Sequence, residues 1–90
     1  MKYNIEDNLS FTMDLKDDNG EIWASVMIIP LKEAGKRDIL LMDVQTGPYS
    51  ARSITELLNL LEKRKVPFED RRMVLEFLAD RLHFLELNGI

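Results

Sequence analysis

The residues best suited to chemistry are few and scattered: one histidine, sixteen Asp and Glu against twelve Lys and Arg, and no cysteine in 90 residues. His83 has Asp80 and Leu87 as its helical neighbours, and no H-x-x-x-H or H-E-x-x-H spacing includes it. A metal site needs several His, Cys or carboxylate ligands converging on one point, and the linear pattern offers no such group. A G-x-S-x-G elbow for a nucleophilic serine is also missing, and the four glycines at 20, 35, 47 and 89 are isolated, unlike those of a phosphate-cradling loop. His83 is therefore expected as a surface or boundary residue. Asp43 interrupts the apolar run Leu40-Leu41-Met42, and a carboxylate buried there would have the raised pKa of a general acid or base. Its place near the end of that run predicts that it faces solvent instead. No catalytic residue, cofactor or metal is expected, and the chain reads as non-enzymatic.

Two charge clusters have the right types for docking. Asp14, Asp17, Asp18 and Glu21 gather around Lys16 for a net −3 within eight residues. Such clusters commonly keep an edge strand from pairing with other chains; the sharper reading is an acidic tip that mimics phosphate or meets a basic partner, as an inhibitor would. Lys63, Arg64, Lys65, Arg71 and Arg72 place five positive charges within ten residues, at a turn where phosphates can be gripped. Glu62, Glu69 and Asp70 dilute that cluster, and a cation at the end of a helix is already favoured by the helix dipole. A nucleic-acid role for these five residues is thus the alternative reading, not the leading one.

The elements that position these residues follow from periodicity. Leu9, Phe11, Met13 and Leu15 alternate with polar residues, the period-2 signature of a half-buried strand. Asn19-Gly20 is a hairpin signal, since a type I′ turn needs positive φ at both central residues. With those two as the loop, Asp18 faces Glu21, and Leu15, Met13 and Phe11 fall opposite Ala24, Val26 and Ile28; a three-residue bulged loop would slip the pairing to Leu15 with Trp23. Strand two runs over 22–29 and strand three over 38–46, where Leu40, Met42 and Val44 share one side and Ile39 and Leu41 the other. Gly47-Pro48 is expected to break the sheet.

Ser53-Ile54-Thr55-Glu56 is a capping box opening a helix whose Ile54, Leu57, Leu58 and Leu61 keep the i, i+3, i+4, i+7 spacing. It is expected to stop near Lys65, because Pro67 disfavours helical geometry at Val66. A second helix follows over about 67–87, with Val74, Phe77, Leu78, Leu82 and Leu85 as its stripe, Gly89 as a left-handed cap and Ile90 packing back toward Leu85. The expected fold is α+β: a three-stranded antiparallel β-meander packed on a C-terminal αα-hairpin, in the order β-β-β-α-α. Residues 1–90 form one domain, with 1–8 either a frayed lead-in or a short extra strand using Tyr3 and Ile5.

Composition sets the remaining bounds. The 46% hydrophobic and 31% charged content is that of a folded chain. Ninety residues bury only about 60–65% of the unfolded surface, so a partner subunit adds stability. Absence of cysteine points to a reducing compartment, and absence of a long apolar run to no membrane span, so a cytoplasmic location is expected. Residues 1–46 carry five basic and nine acidic groups while 47–90 carry seven of each, so the sheet half is acidic. A β-β-β-α order occurs in small DNA-binding folds that read the major groove with the sheet, but those require a basic sheet. Under the first register Trp23, Met27 and Ile29, with Met42 on strand three, make a second apolar face that two helices on the other side leave uncovered. That face predicts a protein interface, with a homodimer as the simplest partner. The expected function is that of a small regulator, adaptor or inhibitor acting through protein contact.

Overall fold

The computed structural model describes residues 11–31 and 36–89. The expected lead-in over 1–8, the loop around Gly35 and the closing contact of Ile90 lie outside the described residues. Strands β1 (Thr12–Lys16), β2 (Ile22–Pro30), β3 (Arg37–Asp43) and β4 (Gly47–Ala51) precede helices α1 (Ile54–Lys63) and α2 (Phe68–Leu87). The sheet is antiparallel in the order β1-β2-β3-β4. The α+β class and the two closing helices are as expected, but the meander has a fourth strand. Gly47-Pro48 does not break the sheet: Gly47 turns the chain with φ 86°, and Pro48 pairs with Met42 at the outer strand. Proline is tolerated there because, among the described strands, β4 has no second neighbour to receive its missing N–H. Strand three accordingly ends at Asp43, not Thr46, and Val44 is exposed in the turn.

The β1–β2 turn combines the two alternatives that the sequence left open. The amide of Asp17 donates to the Glu21 carbonyl and that of Gly20 to the Asp17 carbonyl, so the loop is the three residues Asp18 to Gly20. Gly20 takes φ 79° and Asn19 does not enter positive φ, which rules out the two-residue type I′ loop. Lys16 then pairs with Ile22, yet Leu15 pairs with Ala24 and Met13 with Val26. Trp23 is the extra residue of a β-bulge that absorbs the slip, leaving the expected register intact beyond it.

Leu15, Ala24, Val26, Ile28, Ile39 and Leu41 form the inner face of the sheet, against Leu57 and Leu61 of α1 and Val74, Leu78 and Leu85 of α2. Leu41, Leu57, Leu61, Leu78 and Leu85 are each below 2% exposed, and truncating such a leucine to alanine costs about 2–5 kcal/mol. Phe84 joins the interior beyond the expected stripe, with its ring centroid 6.2 Å from that of Phe11. Phe77 and Leu82 pack only partly.

Local caps hold the helices. Glu56 N–H donates to Ser53 Oγ at 3.1 Å, while the Glu56 carboxylate accepts from the Arg52 amide at 3.3 Å and the Tyr49 hydroxyl at 2.6 Å. The capping box thus also ties β4 to α1. That shared proton holds the Glu56 carboxyl below its usual range and raises the Tyr49 phenol. At the other end of α1, Val66 N–H reaches the Leu61 carbonyl and Lys65 N–H the Glu62 carbonyl, the paired bonds of a Schellman ending. Its left-handed position is filled by Lys65 at φ 62°, where glycine is the usual choice. Gly89, at φ 67°, ends α2 as expected.

Candidate functional site

Three chain reversals meet at one end of the sheet. The β1–β2 turn, the β3–β4 turn and the α1–α2 turn border a cleft of about 470 Å³ whose lining includes Leu15 and Trp23. The bulge explains the tryptophan. As the extra residue opposite Leu15 it turns toward the helix side, where its half-buried indole packs against the core and the Arg64 guanidinium lies 6.0 Å from the ring centroid. Strict alternation would have set Trp23 on the outer face with Met27 and Ile29, and the structure separates it from them.

Asp43 sits beside this pair, not in solvent as expected, with its side chain 9% exposed. Its Oδ1 accepts from the Gln45 amide at 2.8 Å and the Thr46 amide at 3.2 Å, and its Oδ2 is ion-paired with Arg64. The Gln45 amide, aided by Thr46 and Arg64 and opposed by partial burial, holds the Asp43 carboxyl below the ordinary carboxylate range. A carboxylate stabilised in its charged form is a poor general acid at neutral pH. Its geometry suits holding a cation.

Other sequence-derived sites are placed less compactly. Asp17 Oδ1 accepts from the amides of Asn19 and Glu21 at 2.9 and 3.0 Å, so this acidic residue builds its own turn. Asp14 stands off the tip on the outer face of the sheet and accepts from the Ser25 hydroxyl at 2.7 Å. Of the five basic residues, Arg64 meets Asp43, Arg71 meets Glu62 at 3.3 Å, and Arg72 lies 3.7 Å from both Glu69 and Glu76. Those guanidiniums are already faced by carboxylates, leaving Lys63 and Lys65 as the cluster's cations outside these pairs. His83 is exposed on α2, as expected. No group of three or more metal-ligating side chains occurs among the described residues, and no described helix is long and apolar enough to cross a membrane.

Met27, Leu40 and Met42 lie half-buried on the sheet face opposite the helices, with Ile29 38% exposed beside them. Met27 and Leu40 are directly paired across β2 and β3, and Ser25 faces Met42. None of these four apolar side chains belongs to the core or packs against it. The cleft was not anticipated from sequence, because its walls come from three separate turns between Leu15 and Asp70; the available signal was that Asp17 and Asp43 each precede a glycine by three or four positions. Comparison with family models, curated proteins and solved structures returned no match.

Proposed function

We propose that this chain is a protein-contact module that self-associates through the outer face of β2 and β3. The supporting observation is the grouping of Met27, Ile29, Leu40 and Met42 on a face to which neither helix contributes. Around them stand Thr12, Asp14, Ser25, Asp38 and Ser50, so the face has an apolar centre and a polar margin, the anatomy of a protein interface. A domain of this size also gains the most from burying additional surface on a partner. Trp23 is not part of the proposed contact, since its indole faces the cleft.

Sedimentation velocity tests this directly. Wild-type protein is expected to run as a dimer at high concentration, and the Met27→Asp/Met42→Asp variant as a monomer with unchanged far-UV circular dichroism. A wild-type chain that stays monomeric, or a variant that still dimerises, overturns the assignment.

A further inference from the structure

We propose that the cleft beneath the three turns receives an arginine side chain presented by a partner protein, with Arg64 as its resident placeholder. Arg64 displays the chemistry that the cleft selects: one guanidinium shared between an indole and a carboxylate. A cation over a tryptophan is attracted by the ring quadrupole, and a guanidinium–carboxylate bond is among the strongest that side chains make. Asp43 is fixed in place by backbone amides through Oδ1, so Oδ2 keeps its aim whichever cation is present.

Two observations indicate exchange rather than a sealed structural pair. The Arg64 side chain is 34% exposed, and about 470 Å³ of open cleft lies alongside it, within the range of ~300–1,000 Å³ typical of ligand pockets. The walls also favour a cation over an anion. Once the Arg64–Asp43 pair is set aside, Asp17, Asp18 and Asp70 face Lys16 and Lys65, three carboxylates against two ammonium groups. With Asp43 neutralised by Arg64, these walls carry one net negative charge, which disfavours a phosphate.

The chain's single tryptophan makes the test direct. Trp23 emission is titrated with N-acetyl-arginine amide, its citrulline analogue and inorganic phosphate, against the wild type, Arg64→Gln and Arg64→Gln/Asp43→Asn. If Arg64 fills the site more than about nine-tenths of the time, removing it tightens arginine binding at least ~10-fold, because the apparent affinity scales with the fraction of vacant site. Citrulline and phosphate are expected to leave the emission unchanged, and Asp43→Asn to abolish the arginine response. A purely structural ion pair predicts the opposite: a weakened protein with no gain in binding. A folded Arg64→Gln variant without a saturable arginine response overturns the proposal, as does an equal response to citrulline or phosphate. Should that variant not fold, the Arg64 Nε–H resonance of the wild type serves instead: displacement by an arginine-rich peptide supports the site, and an unmoved signal at saturation refutes it. The cleft and the outer sheet face are separate surfaces, so this result is independent of the oligomeric state.

Discussion

The β1–β2 and β3–β4 turns are built alike and do different things. Each opens on an aspartate whose Oδ1 accepts backbone amides, and each closes on a glycine in the left-handed region, Gly20 at φ 79° and Gly47 at φ 86°. In the first, the carboxylate is spent on its own loop. In the second, the spare oxygen of Asp43 reaches Arg64, 21 residues away, and fastens the sheet to the turn between the helices. The same local chemistry is self-contained in one case and tertiary in the other. A residue's type and neighbours specify the turn, whereas the fold decides what else the turn holds.

The largest expected effect comes from breaking the difference itself. Asp17→Ala removes hydrogen bonds within one exposed loop and is expected to cost about 1 kcal/mol. Asp43→Ala removes the equivalent bonds and also strips Arg64 of its partner, so its urea midpoint is expected to fall further than that of Asp17→Ala. Equal midpoints reduce Asp43 to a turn residue. The two glycines test the likeness in turn. A Cβ at either position meets nothing within 4 Å, so Gly20→Ala and Gly47→Ala each carry only the left-handed backbone cost, about 1 kcal/mol, and are expected to match. A much larger loss at Gly47 shows that its turn responds to more than its own dihedrals.

Lys65 extends the comparison to the α1–α2 turn, where the left-handed position lacks its glycine. Lys65→Gly is expected to stabilise the protein by about 0.5–1 kcal/mol, the relief at φ 62° being partly offset by the greater freedom of glycine in the unfolded chain. Acid denaturation resolves the smallest difference. The Asp43 carboxyl is held below the ordinary carboxylate range in the folded protein by the Gln45 and Thr46 amides and Arg64, so its contribution is complete above the unfolded value of about 4 and disappears as the pH falls through the lower folded one. Wild type is therefore expected to lose more stability than Asp43→Asn between neutral pH and pH about 3. Parallel acid limbs remove the special standing of Asp43.

Much of the fold was legible because its signals are local. The period-2 pattern of Phe11 to Leu15, the capping box at Ser53 and the leucine spacing of α1 all describe neighbours within a turn or a pleat. The strand pairing survived for the same reason, since Leu15, Met13 and their partners must all face one core. Trp23 escaped because alternation assumes an unbroken ladder, and a bulge reverses the direction of one side chain without changing composition. The fourth strand escaped because Gly47 and Pro48 are read as breakers, a rule that holds in mid-sheet and lapses at the margin. The cleft is tertiary throughout: no window of sequence contains Trp23, Asp43 and Arg64 together.

Pro48 has a consequence for how this sheet grows. Its ring removes a donor from the side of β4 turned away from β3, so an incoming strand finds an incomplete ladder there. Strand-by-strand recruitment, whether by a peptide ligand or in aggregation, is thereby disfavoured along Gly47–Ala51. One imino acid thus gives the ribbon a finished hem on the β4 side.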